Sequence, residues 1–348
     1  MQVWLHAFSF PHRTAALARQ AEAWGFTGLF VADSQNLNAD VWIELALAAA
    51  ATRQLQLGPG VTNPATRHPA VTASAAATLQ EESGGRVVLG LGRGDSALSQ
   101  IGLAPVHVAG FERALAELQG FLRGEEVVLD DDVRSSIGWI AASQQPKVPV
   151  AVAATGPHVI AAAARHAEML DFTVGAERER LAWAIEAARA AGEAARAGAL
   201  PDGAGRSPGA ALSLGAFVNV AVDPDRAAAR DLVRGSTAIL ARFGTEGAPA
   251  DGLSEVTKAG IAQLGAEYEE ARHGQSSAPA ARRLEDDFID RFAVCGPAGE
   301  VLERLLALRD LGLERIVVVP GSLDADAAAV EASNERFAAD VLPGLLAA

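Results

Sequence analysis

Residues 57–97 read LGPGVTNPATRHPAVTASAAATLQEESGGRVVLGLGRGDSA, and this stretch decides the fold of the chain. Two short apolar runs, each closed by several glycines, enclose an alanine-rich segment of helical character. Polar residues follow at once: Thr62 and Asn63 after the first run, Arg93 and Asp95 after the second. In a parallel barrel the strands end at one face, where enzymes build their active sites. The stretch therefore predicts two neighbouring barrel strands whose ends contribute to one site.

The same alternation of strand and helix extends along the whole chain. Short apolar runs alternate with helical segments across short connections, which is typical of parallel βα units. We therefore predict a (β/α)8 TIM barrel, a single domain over residues 1–348. Eight strands are expected, at residues 3–10, 28–32, 54–60, 86–90, 148–153, 169–174, 212–222 and 315–320.

Two segments depart from this alternation. A loop rich in glycine is predicted over residues 203–209. An insertion is expected at about residues 243–287, before the last strand. Its helical pieces are compatible both with a cover over the barrel mouth and with peripheral packing.

Composition and charge limit the classes of function. The 348 residues are 50% hydrophobic and 21% charged, which is ordinary for a globular protein. A net charge of -14 argues against nucleic-acid binding, which needs a basic surface, and suits an enzyme that acts on a small molecule. A single cysteine, Cys295, excludes an internal disulfide framework. We see no signal-peptide pattern and no membrane-spanning run, so we expect a cytoplasmic protein.

A second candidate site follows the fifth strand. Unpaired amides at a helix N-terminus, with a threonine hydroxyl beside them, form an anion-binding site. A capped turn without a ligand has the same sequence pattern, so the residues alone leave both interpretations open. The residues concerned are Ala154, Thr155, Gly156, Pro157 and His158.

Three motifs resemble those of a known family: Gly-Val-Thr-Asn-Pro at 60–64, Thr-Arg-His-Pro at 66–69 and Gly-Leu-Gly-Arg-Gly-Asp at 90–95. They are similar to motifs of the luciferase-like flavin oxidoreductases, in particular the methylenetetrahydromethanopterin reductase branch. Members of that family are (β/α)8 barrels that use FMN or the deazaflavin coenzyme F420. The resemblance covers nearly the whole chain and implies one of these two cofactors.

The resemblance also implies which residues hold the cofactor. The flat ring would lie against Gly60, Val61, Thr62 and Asn63, and the turn at residues 154–158 would hold its phosphate. Gly92 and Arg93 would line the same site from the next strand. His6, on the first strand, would face the site or serve as a structural histidine. A non-prolyl cis bond is common in this family where the third strand ends, so we expect the Gly60–Val61 peptide to be cis.

Asp95 is the predicted catalytic acid. A carboxyl group at a glycine-flanked strand end, beneath an apolar cofactor, loses hydration and can hold a proton near neutral pH. Related deazaflavin dehydrogenases carry a proposed proton donor at the matching place. The competing interpretation is an ion pair with Arg93 or Arg67. Asp33 resembles the family's acid after the second strand, and Ser34 stands where some relatives have a catalytic histidine.

The predicted function is hydride transfer between F420 and an electrophilic C=O, C=N or C=C group of a small organic substrate. If the cofactor is FMN, the alternative is a two-component monooxygenase supplied by a partner flavin reductase. The absence of histidine at position 34 and the similarity to the methanopterin reductases favour F420. A barrel that binds a ligand without turnover is the third possibility. We expect a homodimer, and no residue grouping has metal-ligand spacing, so no metal is predicted.

Overall fold

The structure is a computed structural model that describes residues 1–197, 211–245 and 251–347. The predicted loop at 203–209 and part of the predicted insertion lie outside the described residues. In the described part, eight parallel strands form a barrel that is surrounded by helices. The predicted (β/α)8 fold is confirmed.

The barrel strands follow the order β3-β2-β1-β11-β9-β8-β7-β4. All eight predicted strands are found, with ends within three residues of the expected positions. The strands of the described residues are β1 (Gln2–Ala7), β2 (Gly28–Val31), β3 (Gln56–Pro59), β4 (Leu89–Leu91), β5 (Val127–Val128), β6 (Arg134–Ser135), β7 (Val150–Ala154), β8 (Met169–Phe172), β9 (Ser213–Val222), β10 (Val294–Gly296) and β11 (Arg315–Val319).

Three of these strands lie outside the barrel path. Strands β5 and β6 form a small antiparallel hairpin. Strand β10 pairs in parallel with the last three residues of β9. It was not predicted, because three apolar residues before a helix give no alternation that a sequence pattern can detect.

Helices cover the outside of the barrel. They are α1 (Thr14–Trp24), α2 (Val41–Ala51), α3 (Pro69–Ser83), α4 (Ser96–Ser99), α5 (Val108–Leu122), α6 (Pro157–His166), α7 (Arg178–Ala197), α8 (Arg226–Arg242), α9 (Glu255–Glu267), α10 (Pro279–Arg282), α11 (Asp286–Phe292), α12 (Ala298–Arg309), α13 (Ala327–Arg336) and α14 (Leu342–Ala347). A π-helical turn joins α13 to α14. Among the described residues, no helix is long and apolar enough to cross a membrane.

Local signals place the first helices. Helix α1 ends at Gly25, whose φ of 90° is easily reached only without a side chain. The Asp40 carboxylate accepts hydrogen bonds from the first amides of α2. The His68 ring caps α3, and Pro69 occupies the first helical position. These helices connect the strands that carry the decisive stretch.

Strands β3 and β4 close the barrel through very few contacts. Two isolated parallel bridges join their chain segments, Leu57 to Val87 and Thr62 to Leu91. The backbones come unusually close here: a Cβ added to Gly58 would lie 1.8 Å from the Val88 carbonyl oxygen. The glycines of the decisive stretch therefore make the closure possible, because any side chain would push the two strands apart.

A buried ion pair crosses the barrel interior near its amino-terminal end. The Arg315 guanidinium on β11 donates to the Asp171 carboxylate on β8, with Nε 2.9 Å and Nη2 2.8 Å from Oδ1. Both side chains are almost fully buried. Gly215 on β9 lies between them, and a Cβ there would stand 2.2 Å from Asp171 Oδ1. The missing side chain leaves the room that this pair needs.

The closure gives a stability prediction. Gly58→Ala should lower the free energy of unfolding by about 1–3 kcal/mol or more, because the methyl group meets backbone and not a mobile side chain. Gly299→Ala is the matched control: it lies in α12, and a Cβ there meets nothing within 4 Å. The control should be neutral or stabilise by about 0.5–1 kcal/mol. Urea unfolding midpoints measure both, and equal midpoints for Gly58→Ala and the native protein would contradict the closure argument.

Candidate active site

A cavity of about 320 Å³ opens at the carboxyl-terminal face of the barrel. Ligand pockets in proteins start at about this size. Thirteen of the fifteen predicted site residues line it, and they come from the ends of β1, β2, β3, β4 and β7. They are His6, Asp33, Ser34, Gly60, Val61, Gly92, Arg93, Asp95, Ala154, Thr155, Gly156, Pro157 and His158.

Thr62 and Asn63 do not line the cavity, which differs from the expected contact with a cofactor ring. Both are buried behind the cavity wall. The Thr62 hydroxyl donates to Asp33 Oδ2 at 2.7 Å. Asn63 Oδ1 accepts from the backbone amides of Ala65 and Thr66 at 3.0 Å. These two side chains support the wall from behind.

Asp33 is a buried carboxyl group at the cavity wall. Thr62 and the Gln35 side chain donate to its two oxygens at 2.7 and 2.8 Å. Burial removes water from the carboxylate and raises the pKa of Asp33, and the two hydrogen bonds oppose this only in part. Asp33 is therefore able to hold a proton at a higher pH than an exposed aspartate.

His6 supports the wall at the end of β3. Its Nε2 lies 2.8 Å from the Gly60 carbonyl oxygen. A carbonyl only accepts, so Nε2 carries the hydrogen. Loss of hydration lowers the pKa of His6 to about 4, and the ring is neutral at pH 7. The peptide that it contacts, Gly60–Val61, is cis, as the family resemblance predicts.

Asp95 is paired with an arginine that the sequence did not suggest. The Arg242 guanidinium, at the end of α8, donates to Asp95 Oδ1, and its Nη2 lies 3.1 Å from the Ser96 hydroxyl. Arg242 Nη1 also lies 2.9 Å from Glu270. Asp95 is thus an ion-paired carboxylate that joins the end of β4 to the segment after β9. The expected partners Arg93 and Arg67 do not fill this place.

The two arginines of the decisive stretch have separate surroundings. Arg67 pairs with Asp40 at 2.5 Å and does not line the cavity. Arg93 does line it, and its Nε donates to the Val106 carbonyl at 2.6 Å. This bond fixes the side chain at the cavity rim. Arg93 is therefore positioned to meet an anionic group of a bound molecule.

The predicted anion site lies at the start of α6, at the cavity wall. Helix α6 starts at Pro157, directly after Gly156, and no side chain caps its N-terminus. A Cβ added to Gly156 would meet nothing within 4 Å, so the cavity approaches the backbone here. Thr155 Oγ1 lies 2.7 Å from Thr173 Oγ1 at the same place. Free amides and hydroxyls at a helix N-terminus favour a phosphate.

The opposite wall comes from residues that carry no recognised motif. They lie on α8, after α9 and after β11, and most of them are apolar. They could not be predicted from the sequence, because no local pattern indicates which distant side chains face the barrel mouth. These residues are Ser236, Ile239, Leu240, Phe243, His273, Val319, Gly321 and Leu323.

The described residues contain no group of three or more His, Cys, Asp or Glu side chains that could hold a metal ion. The cavity wall carries the buried acid Asp33, the ion-paired carboxylate Asp95, three histidines and the start of α6. A barrel with such a cavity at the carboxyl ends of its strands has the architecture of a TIM-barrel enzyme.

Residues 2–315 match the family described as luciferase-like monooxygenase, and the chain belongs to this family. It is an enzyme of the luciferase-like oxidoreductase superfamily, as predicted. The resemblance recognised from the motifs at 60–64 and 90–95 is confirmed.

Individual relatives extend over nearly the whole chain. A 5,10-methylenetetrahydromethanopterin reductase from Methanolobus tindarius is 29% identical over 314 residues, covering 88% of this chain and 89% of the relative. An F420-dependent glucose-6-phosphate dehydrogenase from Beutenbergia cavernae is 29% identical over 353 aligned positions, covering 97% and 94%. The solved structure of the F420-dependent tetrahydromethanopterin reductase from Methanopyrus kandleri has a TM-score of 0.74 at 22% identity, and 98% of each chain is covered.

The raised pKa of Asp33 gives a prediction about pH and stability. The folded protein keeps the Asp33 proton to a higher pH than the unfolded chain, so the free energy of unfolding falls as pH rises through that interval. The side chain of Asp33→Asn does not titrate, so this fall in the free energy of unfolding is absent. Its amide oxygen can still accept the hydrogen bond from the Thr62 hydroxyl. The stability of the variant relative to the native protein should therefore increase as the pH rises above 3.8, the usual pKa of an aspartate.

Urea unfolding of both proteins across this pH range measures the effect. Asp132→Asn, at an exposed aspartate, is the matched control for removing one carboxyl group. A stability difference between Asp33→Asn and the native protein that stays constant with pH would show that Asp33 is not perturbed by burial.

Proposed function

We propose that this protein is an F420-dependent oxidoreductase that transfers a hydride between the deazaflavin and an electrophilic C=O, C=N or C=C group of a small organic substrate. The observation that carries the proposal is the uncapped start of α6 after β7, which lines the same cavity as Arg93 after the neighbouring strand β4. Two relatives that are named F420-dependent glucose-6-phosphate dehydrogenases support the choice of cofactor.

The residues of the cavity fit such a cofactor. The phosphate would lie at the Gly156 backbone, where a side chain is absent and the helix dipole favours negative charge. The flat ring would rest on Gly60 and Val61, which His6 supports through the Gly60 carbonyl. F420 continues from its phosphate into an acidic tail. Arg93 at the rim is the cation that lines the cavity and is available for this tail.

The reaction assigns different tasks to the side chains. When bound, reduced F420 would supply a hydride to the electrophilic carbon of the substrate. The π electron pair of the substrate double bond then moves to the other atom of that bond, which takes up a proton. Asp33 is the proposed proton donor, because burial raises its pKa and it lines the cavity. Asp95 is the second candidate donor, and this role requires its ion pair with Arg242 to open.

The second candidate function is an FMN-dependent two-component monooxygenase. The family description, luciferase-like monooxygenase, favours this alternative. The same anion site would hold the FMN phosphate, and a partner reductase would supply the reduced flavin. The homodimer, the reductase partner and the cytoplasmic location stay predictions from the sequence.

The choice of cofactor is tested by binding. The native protein should bind F420 more tightly than FMN, because the F420 tail carries charge that FMN lacks and Arg93 can contact it. Arg93→Ala should weaken F420 binding by about tenfold or more, the loss expected for a charge-assisted hydrogen bond of about 1.5–3 kcal/mol. The difference between the affinities for F420 and FMN should therefore become smaller. Equilibrium titration of both cofactors at one ionic strength measures this.

Arg67→Ala is the control, because Arg67 is an arginine of the same stretch that does not line the cavity. It should leave the F420 to FMN ratio unchanged. Tighter binding of FMN by the native protein would replace the deazaflavin assignment with the monooxygenase. Binding of neither cofactor would favour the barrel that only binds a ligand.

The assignment of the proton donor is tested by turnover. Asp33→Asn should keep F420 affinity within a few-fold and slow the oxidation of reduced F420 by about 10²–10⁴, the usual range for a general acid. A panel of small ketones, aldehydes and imines supplies the acceptor. Asp95→Asn is measured in parallel. If the rate of oxidation of reduced F420 falls by this factor in Asp95→Asn and not in Asp33→Asn, Asp95 is the acid and the role of Asp33 is structural.

A further inference from the structure

The wall opposite the cofactor site contains one titratable side chain that the mechanism above does not use. His273 follows the turn Glu270–Arg272, is 5% exposed, and lines the cavity. Ile239, Phe243 and Leu323 line the same wall, whereas Tyr268 and Glu270 lie on the Nδ1 side of the His273 ring, 2.8 and 3.9 Å from Nδ1. A polar ring in an apolar wall that faces a ligand cavity is suited to orient a substrate.

Hydrogen bonds behind the wall fix which ring nitrogen carries the proton. Tyr268 Oη lies 2.8 Å from His273 Nδ1. Burial raises the pKa of the Tyr268 phenol, so the phenol keeps its hydrogen and donates it to Nδ1. A neutral imidazole has one donor and one acceptor, and with Nδ1 accepting, Nε2 carries the hydrogen. Burial and then the nearby Arg242 charge lower the pKa of His273 to about 4, which keeps the ring neutral at pH 7.

Tyr268 is itself held in place. The Arg242 guanidinium carbon lies 4.9 Å from the centre of the Tyr268 ring, within the range of a cation–π contact. Arg242 is in turn fixed by Asp95 and Glu270. The ion pair at the end of β4 therefore determines the position of the phenol, and the phenol determines the tautomer of His273. Tyr268 bonds Nδ1, and within the described residues no hydrogen bond to Nε2 is found.

We propose that His273 Nε2–H donates a hydrogen bond to the acceptor atom of the substrate, a carbonyl oxygen or an imine nitrogen, and thereby selects uncharged substrates with such an acceptor. The hydride step itself rests on the proposed function. As the substrate carbon accepts the hydride, the π electron pair collects on this atom, and the hydrogen bond strengthens. His273 does not supply the proton, because a neutral imidazole N–H is not an acid at pH 7; the proton comes from the buried carboxyl group.

The remainder of this wall argues for an uncharged substrate. The nearest cation, Arg242, is already paired with two carboxylates. An anionic substrate group placed against Ile239, Phe243 and Leu323 would lose its hydration without a new charge partner, which is costly. A neutral carbonyl compound loses little hydration free energy at this wall and gains the hydrogen bond from His273.

A pair of ligands of the same shape tests this inference without turnover. Cyclohexanone has an acceptor oxygen, and methylenecyclohexane has a CH₂ group in its place. Both are titrated into the F420-loaded and the F420-free protein, and binding is followed by ligand-detected NMR. The native protein should prefer the ketone by about 2- to 12-fold, the factor for one neutral hydrogen bond of about 0.5–1.5 kcal/mol. The Nε2 proton of ¹⁵N-histidine-labelled protein should shift with the ketone only.

Variants separate a direct contact from a structural role. His273→Leu should abolish the preference for the ketone, and His273→Gln should restore part of it, because its amide nitrogen can donate from a similar place. Tyr268→Phe should reduce the preference, because it frees the tautomer of His273. His107→Leu, at an exposed histidine, is the control and should keep the native ratio.

The outcomes distinguish this inference from the proposed function. A ketone preference that survives in His273→Leu, or that the native protein does not show, overturns the role of His273 whatever cofactor binds. Failure of F420 to bind, together with a ketone preference that depends on His273, overturns the cofactor assignment and leaves the role of His273 intact.

Discussion

The close approach of two chain segments where the barrel closes is the constraint on which the rest of the structure depends. Strands β3 and β4 meet through one bridge at Leu57 and another at Thr62, with the chain between them leaving the regular ladder. The displaced residues Gly60 and Val61 form a wall of the cavity. The closure of the barrel and the shape of the site therefore have one cause, the glycines that let the backbones touch.

Most of the fold was predictable because its signals are local. Each barrel strand is a short apolar run that ends at glycine or polar residues, and this pattern can be recognised without any knowledge of partners. The two ion pairs that cross the structure were not predictable in this way. Asp171 and Arg315 are 144 residues apart, and Asp95 and Arg242 are 147 apart. No local pattern in the sequence predicts which arginine will pair with which carboxylate.

Within the site, too, local sequence patterns predict only part of the arrangement. The motif at 60–64 was correctly placed at the cavity, but Thr62 and Asn63 support the wall and Val61 lines it. Gly60 and Val61 line the cavity and the next two residues lie behind its wall, so a motif of consecutive residues contains both lining and supporting positions. Family resemblance marks the whole motif, and only the structure separates the two roles.

The two halves of the cavity are encoded differently, and this explains why the sequence suggests a cofactor and no substrate. The half in which we propose the cofactor consists of strand ends and one helix start, each carried by a short local motif. The substrate half consists of α8 and the segment after α9, held against β4 by the ion pair of Arg242 with Asp95. Apolar side chains and one histidine there follow no pattern that a motif could record. Their position follows from long-range packing alone, so the sequence pattern indicates a cofactor and leaves the substrate open.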